Sequence, residues 1–390
     1  MKKKITIGLF VDNFFPMVDG VVSVVDNYAR RLCKIANVYV FAPKINGEEF
    51  DDNTLPYKVI RSKSIKMPFI DYSLPKINKS FKKELDKYNL DIVHIHSPFT
   101  MGKLGIDYAK KHNIPVIGTM HSQFKRDIKR AVHNEFLAKR INNILINTFN
   151  KCDECWAVNK EVARIFYEDY GYKELPRVMN NATEMEPVKD YNKAIDNVNK
   201  RHGLNKNDKV FLFVGRINKL KNIFFIVDVL EILKKKKRDY NFKMIFVGTG
   251  QDEAELKEYI KNKELDEYVI FTGKIMDREV IKEYFARADL FLFPSLYDAS
   301  SIVQIEAASQ HTPTIFIEGS ATSATITDGV DGIIAKNDIK EYAKVVDELM
   351  HDDVRLKKLK DNAFKNLYVS WDNQIKEIYK LYLEFINRTK

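Results

Sequence analysis

Residues 210–222 read VFLFVGRINKLKN, and this stretch indicates the fold class. An apolar run enters a turn at Gly215, and a helical pattern over Ile223–Lys235 follows it. A buried strand, a turn and a helix form one βα unit. Arg216 and Lys221 fall in the turn, where cations beside free helix N–H groups form an anion site. A diphosphate fits such a site, although two exposed cations after a strand produce the same pattern.

Short apolar runs alternate with helical segments through the whole chain. Strands are predicted at Ile5–Val11, Val38–Ala42, Ile92–Ile95, Pro115–Thr119 and Glu154–Val158, and again at Val210–Val214, Lys243–Val247, Val269–Thr272, Leu290–Phe293, Thr314–Ile317 and Gly332–Ala335. Strands that alternate with helices form parallel sheets. We therefore predict an α/β protein with two Rossmann-like domains that face a central cleft, and ligands at the carboxyl ends of the strands.

The chain length also indicates two domains, because 390 residues with 45% apolar content exceed one ordinary core. The polar stretch Glu186–Asp208 has no strand candidate and is the predicted junction. We expect a first domain over residues 1–187 and a second over residues 188–372. The remaining residues, 373–390, contain an amphipathic helical pattern that must pack against another element.

Composition argues against several classes of protein. The apolar run Ile5–Val11 is too short for a signal peptide or a membrane span, so a soluble, cytoplasmic protein is expected. Three cysteines provide no disulfide framework. The pair Cys152 and Cys155 lacks a second pair that would complete a zinc site, and it is predicted to lie beside a buried strand.

The net charge of +10 is concentrated in the first half of the chain. Residues 1–185 hold 30 Lys and Arg against 21 Asp and Glu, a difference of +9, and the rest holds 34 against 33, a difference of +1. A basic half indicates an anionic partner, such as a membrane surface, a nucleic acid or a polyanionic glycan. A solvated lysine-rich surface explains the same charge equally well.

A second strand-to-helix segment, residues 293–308, reads FPSLYDASSIVQIEAA. Asp298 lies in its loop, and Glu306 follows about two helical turns later. Carboxylates near a helix N-terminus accept hydrogen bonds from sugar hydroxyls, while the first N–H groups of the helix face phosphate. Without further information, Glu306 is equally explained as the ion-pair partner of a neighbouring cation.

Four residues of the first half are candidates for a site. Gly20 removes a Cβ where the backbone approaches a phosphate, but its loop lacks the Gly-x-Gly-x-x-Gly pattern of a nicotinamide-dependent oxidoreductase. His121 follows a strand, where an imidazole orients or deprotonates a hydroxyl or is simply structural. His94 and His96 lie on one face of a strand, but no carboxylates cluster near them as further metal ligands.

An amphipathic helix is predicted over residues 124–145. Its apolar positions are 124, 128, 132, 137, 141, 144 and 145, and its flanking cations include Lys125, Arg126, Lys129 and Arg130. A basic helix of this kind lies on an anionic bilayer, or packs its apolar face into its own domain.

These motifs resemble those of the family 4 retaining glycosyltransferases of GT-B fold, and the resemblance covers essentially the whole chain. Arg216 and Lys221 match the family's Gly-Arg-x4-Lys element, and Asp298 and Glu306 match its Glu-x7-Glu element. The stretches VGTG at 247–250 and FTGKI at 271–275 lie where the family has a Gly-x-Gly turn and a nucleobase-contacting loop. Two departures are Asp298 in place of the first glutamate and Ala-Ser-Ser at 299–301 in place of Gly-Phe-Gly.

The resemblance implies a nucleotide-sugar donor bound mainly by residues 188–372, an acceptor bound by residues 1–187, and a C-terminal helix that crosses back to the first domain. The catalytic residues that it implies are His121, Arg216, Lys221 and Asp298. The donor-binding residues that it implies are Gly20, Gly248, Ile275, Ser301, Ile302 and Glu306. No Asp-x-Asp triplet is present, and cations stabilise a leaving diphosphate, so no metal and no cofactor are expected.

Segments 8–16, 94–102 and 119–122 resemble the lipid-glycosylating branch of the family, in particular diacylglycerol glucosyltransferases. This resemblance implies transfer of a hexose such as glucose from a UDP-linked donor to a membrane lipid, at the inner face of the cell membrane. A cell-surface polysaccharide or teichoic-acid-type glycan is the alternative acceptor. A non-catalytic nucleic-acid-binding or regulatory protein is the alternative of another class, although no recognised nucleic-acid module is present.

Overall fold

The computed structural model describes residues 4–17, 19–45, 49–66, 73–121, 128, 134–236 and 240–389. The chain divides into two compact units: the first unit is Met1–Asn181 with Trp371–Lys390, and the second unit is Ala182–Ser370. The division falls at residue 181 and not at the predicted 187. The reason is that Thr183 N donates to Val369 O at 2.9 Å and Val188 N to Gln310 Oε1 at 2.9 Å, which binds this segment to the second unit.

The first unit contains a sheet of strand order β4-β3-β2-β1-β5-β6-β7-β8 among the described residues. The strands are β1 (Thr6–Phe10), β2 (Asn37–Pro43), β3 (Lys58–Lys66), β4 (Ser73–Lys76), β5 (Ile92–Ile95), β6 (Val116–Met120), β7 (Glu154–Ala157) and β8 (Arg177–Val178). The helices are α1 (Gly20–Leu32), α2 (Lys79–Leu85), α3 (Thr100–His112), α4 (Glu135–Phe149) and α5 (Lys160–Arg164), with 3-10 turns at Asp52–Thr54 and Asp86–Tyr88 and a π turn at Ile165–Asp169. The pairing is parallel except between β3 and β4.

The second unit contains a parallel sheet of order β11-β10-β9-β12-β13-β14. The strands are β9 (Lys209–Val214), β10 (Phe242–Val247), β11 (Val269–Gly273), β12 (Leu290–Phe293), β13 (Thr314–Ile317) and β14 (Ile333–Ala335). The helices are α6 (Tyr191–His202), α7 (Ile223–Lys235), α8 (Glu253–Asn262), α9 (Arg278–Arg287), α10 (Ile302–Ser309), α11 (Ile339–His351) and α12 (Asp353–Leu367), with 3-10 turns at Lys219–Lys221, Asp266–Tyr268 and Ala321–Thr325.

The central strands are apolar throughout because helices cover both faces of a parallel sheet. Phe211, Leu212 and Phe213 of β9 are fully buried, and burial of each such side chain stabilises the fold by about 1.5–3 kcal/mol. Every strand predicted from the sequence is present, with ends that agree within one residue. Strands β3, β4 and β8 were not predicted. The first of these reads KVIRSKSIK, and its charged residues obscure the apolar pattern.

The polar stretch Glu186–Asp208 is not a bare junction, because α6 occupies its middle. This helix packs on α9: Asn197 Nδ2 donates to Glu283 Oε1 at 2.5 Å, and His202 lies 2.8 Å from the hydroxyl of Tyr284. The sequence gives little sign of this helix, because α6 exposes mostly polar residues and buries few apolar ones.

The C-terminal helix α13 (Trp371–Thr389) belongs to the first unit, where it packs against α1. Arg31 Nε donates to Asp372 Oδ1 at 2.7 Å, and the hydroxyl of Tyr382 lies 2.6 Å from His94 Nδ1 on β5. The helix begins at residue 371, two residues before the predicted start.

The predicted amphipathic helix over 124–145 is not continuous. Asn134 has an extended backbone and caps α4, because its Oδ1 accepts a hydrogen bond from Leu137 N at 3.0 Å. Lys125, Arg126, Lys129 and Arg130 lie outside the described residues. On α4, Phe136 is 77% exposed and Ile144 is 46% exposed, so an apolar surface flanked by cations is present on this helix. No described helix combines the length and the apolarity that a membrane span requires.

Candidate functional site

The loops after β9, β10 and β11 contact one another at the carboxyl edge of the second unit's sheet. Gly215 N donates to Val247 O at 3.0 Å, and Gly248 N donates to Gly273 O at 2.9 Å. A Cβ at Gly248 would lie 2.0 Å from Gly215 O, and its φ of +136° also favours glycine. Neighbouring parallel strands end at the same edge, so these loops form one surface.

Lys221 and Asp298 form an ion pair on this surface. Lys221 ends a 3-10 turn in which its N–H donates to Asn218 O at 3.0 Å. The next residue, Asn222, donates through Nδ2 to Pro294 O at 3.2 Å, which joins the turn to the loop after β12. Lys221 Nζ donates to Asp298 Oδ1, and Ser295 Oγ donates to Asp298 Oδ2 at 2.6 Å. Both side chains are mostly buried, at 20% and 17% exposed.

Arg216 follows β9 and is exposed. Its carbonyl accepts a hydrogen bond from Asn218 N at 3.0 Å, which shapes the turn. Within the described part of the chain, no carboxylate forms an ion pair with its guanidinium. Lys221 and Arg216 therefore lie on the same turn, Lys221 paired with Asp298 and Arg216 exposed, and both can donate charge-assisted hydrogen bonds to an anion.

The helix α10 begins beside this pair. Ser301 occupies its N-cap position and is buried, but its hydroxyl accepts no capping hydrogen bond. Ile302 is the first helical residue and is half-buried. Without a capping side chain, the first N–H groups of the helix keep hydrogen-bonding capacity for another acceptor.

Glu306 lies farther along α10 and is 6% exposed. Its Oε1 accepts a hydrogen bond from Nη2 of Arg278, which is the first residue of α9. Burial raises the pKa of Glu306 above its ordinary value, and the charge of Arg278 opposes this shift. Ile275, in the loop before α9, is half-buried and packs against the core, while the next side chain, Met276, is 74% exposed.

Three histidine rings lie together at the carboxyl ends of β5 and β6 in the first unit. His96 Nδ1 lies 3.1 Å from His121 Nε2, and the two rings stack at 5.3 Å. His94 stacks on His96 at 4.2 Å, and its Nε2 lies 2.7 Å from Thr119 Oγ1. Burial lowers the pKa of His121 to about 3 and that of His96 well below its ordinary value, so both rings are neutral at pH 7.

Gly20 is the first residue of α1, and Asp19 Oδ1 caps this helix by accepting from Val22 N at 2.8 Å. No heavy atom lies within 4 Å of a Cβ built at Gly20, so local packing does not require glycine there. Nearby, Asp12 Oδ2 accepts from Ser97 Oγ at 2.6 Å and Oδ1 accepts from Met101 N at 2.8 Å. These bonds join the end of β1 to the end of β5 and to the start of α3.

The described residues contain no group of three or more His, Cys, Asp and Glu arranged to hold a metal ion. Cys152 and Cys155 are buried beside β6, where a Cβ on Gly118 would lie 3.0 Å from Cys155 Sγ. A hydrogen bond to Cys155 and burial raise the pKa of the Cys152 thiol. The pair therefore behaves as packing residues, as the sequence predicts.

Sequence profiles of two glycosyltransferase families match the two halves of the chain. The profile described as "Glycosyltransferase Family 4" matches residues 18–186, and the profile described as "Glycosyl transferases group 1" matches residues 194–366. The chain is a glycosyltransferase.

Two relatives match this glycosyltransferase over nearly its full length. The alpha-monoglucosyldiacylglycerol synthase of Acholeplasma laidlawii is 26% identical, covering 98% of this chain and 98% of the relative. The enzyme of the same name from Streptococcus pneumoniae is 25% identical, covering 97% of this chain and 86% of the relative. The solved structure of HepE from Anabaena in complex with UDP has a TM-score of 0.75 at 15% identity, covering 98% of this chain and 100% of that one. The fold of this glycosyltransferase is accordingly GT-B.

The structure of this glycosyltransferase brings its predicted donor residues together in part. Lys221 contacts Asp298, although 77 residues separate them, and the Gly248 turn contacts the turn that precedes Lys221. Sequence reasoning missed Arg278 and the contact of His96 with His121. Neither contact leaves a local signal, because Arg278 meets Glu306 across 28 residues and His96 meets His121 across 25.

Proposed function

We propose that this glycosyltransferase transfers glucose from UDP-glucose to diacylglycerol in a membrane, with retention of anomeric configuration. The observation that supports a transfer reaction is the cluster of Lys221, Asp298 and the exposed Arg216 at the carboxyl edge of the second unit's sheet. Two full-length relatives named alpha-monoglucosyldiacylglycerol synthase support the sugar and the acceptor.

Chemistry at the donor follows from these charges. The bond between the anomeric carbon and the diphosphate oxygen breaks, and its electron pair leaves with the diphosphate. Arg216 and Lys221 stabilise the negative charge that develops there, and they do so most strongly in the transition state. This is why we propose transfer without a metal or other cofactor, since the two cations supply the charge that a divalent ion would supply.

In the structure Asp298 forms an ion pair with Lys221. A diphosphate competes for the same ammonium, so donor binding frees the Asp298 carboxylate to accept hydrogen bonds from sugar hydroxyls. Asp298 thereby links donor occupancy to sugar recognition. Glu306 accepts hydrogen bonds from the ribose hydroxyls. The uncapped N–H groups at Ser301 and Ile302 face the phosphate groups of the donor.

The acceptor side of the reaction belongs to the first unit. Gly20 admits a phosphate close to the backbone, because no Cβ or neighbouring side chain fills the space beside it. His121 orients the acceptor hydroxyl, whose oxygen forms the new bond to the anomeric carbon and whose proton passes to the departing diphosphate. A glucosyl group α-linked to UDP that becomes α-linked to lipid has been transferred with retention.

Membrane attachment places the enzyme at its lipid acceptor. Phe136, Leu137 and Ile144 of α4 are exposed beside Lys139 and Arg140. Exposed apolar residues beside cations bind an anionic bilayer surface, each cation contributing about 1 kcal/mol. We therefore propose peripheral association with the inner face of the cell membrane.

The test is transfer of labelled glucose from UDP-glucose to anionic liposomes with and without diacylglycerol, in EDTA. Labelled monoglucosyldiacylglycerol is the expected product, and parallel reactions with GDP-mannose and UDP-N-acetylglucosamine establish donor selectivity. Label on soluble cell-surface glycans but never on lipid would overturn the acceptor assignment. Salt-sensitive polynucleotide binding without any nucleotide-sugar binding would overturn the enzymatic assignment.

A further inference from the structure

Glu306 is a buried carboxylate whose described ion pair is with a single arginine. Arg278 Nη2 donates to its Oε1, while Oε2 accepts no hydrogen bond from a described residue. The two side chains come from different helices of the second unit: Arg278 is the first residue of α9, and Glu306 lies within α10. One carboxylate oxygen is therefore held by the protein, and the other keeps its capacity to accept.

The pair is asymmetric in its exposure to water. The side chain of Arg278 is 43% exposed, whereas that of Glu306 is 8% exposed. Burial of an ionised carboxylate is unfavourable unless a partner compensates it, and a buried ion pair is weak evidence for stability. An acid placed here in a core-lining helix is thus better explained by recognition of a ligand than by folding.

We propose that Arg278 is a donor-recognition residue, which holds Glu306 ionised and directs its second oxygen to the ribose hydroxyls of the nucleoside diphosphate. This inference rests on the proposed function, in which Glu306 binds the ribose. An ionised carboxylate accepts hydrogen bonds from both hydroxyls of a ribose, whereas a protonated one loses part of that capacity. Arg278 contributes specificity through Glu306.

Two charged groups face Glu306 and act on its protonation in opposite directions. Arg278 favours the carboxylate, and Glu184, a like charge in the same unit, opposes it. Without Arg278, burial and Glu184 act unopposed, so the pKa of Glu306 rises further. Nucleotide affinity of such a variant therefore falls as the pH is lowered, because a larger fraction of Glu306 is protonated.

Isothermal titration calorimetry of the full chain with UDP and with dUDP, which lacks the ribose 2′-hydroxyl, tests this proposal. Arg278→Met is expected to weaken UDP binding by about tenfold or more and dUDP binding much less. The loss should grow between pH 8 and pH 6. Lys282→Met is the matched control, because Lys282 lies one turn farther along α9 and pairs with Glu279 instead.

Arg278→Lys keeps the charge but loses the planar fork, and an intermediate loss is expected. Thermal melting of each variant verifies folding. Glu306→Gln removes the carboxylate that pairs with Arg278. Adding Arg278→Met to this variant should therefore weaken UDP binding no further. The same loss of UDP affinity from Arg278→Met in the wild-type chain and in the Glu306→Gln variant would show that Arg278 does not act through Glu306. That result would overturn the inference.

Binding of UDP and dUDP to the wild-type chain distinguishes a failure of the proposed function from a failure of this inference. A wild-type chain that binds neither UDP nor GDP would overturn the proposed function, and this inference would fall with it. A wild-type chain that prefers UDP to dUDP, together with an Arg278→Met variant that keeps the same preference, would overturn the inference alone.

Discussion

Replacing Lys221 with Met removes the ammonium group that pairs with Asp298 and keeps most of the apolar stem. If this ammonium stabilises the departing diphosphate, kcat should fall about 10²–10³-fold, which corresponds to roughly 3–4 kcal/mol of transition-state stabilisation. The substitution also leaves Asp298 without its cation. Because Ser295 still donates to Asp298 and the pair is about one-fifth exposed, the loss of folding stability should be only about 1–2 kcal/mol.

A double variant separates catalysis from stability. Lys221→Met with Asp298→Asn removes both charges of the pair, so its melting temperature should return close to that of the wild type. Transfer should stay low, because the cation is still absent. The assay is the initial rate of lipid glucosylation at saturating UDP-glucose, with thermal melting measured on the same preparations.

A folded Lys221→Met variant whose kcat is within about threefold of the wild-type value would show that the ammonium group does not stabilise the departing diphosphate. Recovery of transfer in the double variant along with stability would show the same, because activity would then depend on the fold and not on the ammonium group.

Four further predictions concern the histidine contact, the pH profile, the exposed face of α4 and Gly20. His96→Asn keeps an amide nitrogen near the position of the Nδ1 atom that contacts His121, so this variant should preserve transfer. His96→Gln should lower kcat about tenfold or more. Equal effects of the two substitutions would contradict a role of His96 in positioning His121. Since burial lowers the pKa of His121 to about 3, transfer should show no acid limb from this residue between pH 5 and 8. Phe136→Asp should weaken sedimentation with anionic liposomes about tenfold, while Val354→Asp, on an equally exposed apolar residue of the second unit, should not; unchanged binding of both would exclude α4 as the attachment surface. Gly20→Ala should leave the melting temperature unchanged, because space is open there, yet lower transfer; full activity would remove Gly20 from the site.

Much of the fold could be predicted from local patterns. A run such as VFLF at 210–213 is buried on both faces, as a central parallel strand requires, and consecutive apolar residues make such a strand recognisable from the sequence. Strand β3 escaped prediction because charged residues interrupt its apolar pattern. Helix α6 was not predicted for a related reason. It is mostly polar, so its apolar face is hard to recognise before its partner α9 is known.

The candidate donor residues were recognisable as motifs, but their partners were not. Arg216 and Lys221 lie in one turn, and Glu306 could be paired with an unspecified cation from its position alone. That this cation is Arg278, and that His121 meets His96, depends on which loops and strand ends become neighbours. Strand order sets those contacts, and periodicity along the chain carries no information about strand order. Residues 25 to 77 positions apart therefore became partners only when the sheets formed.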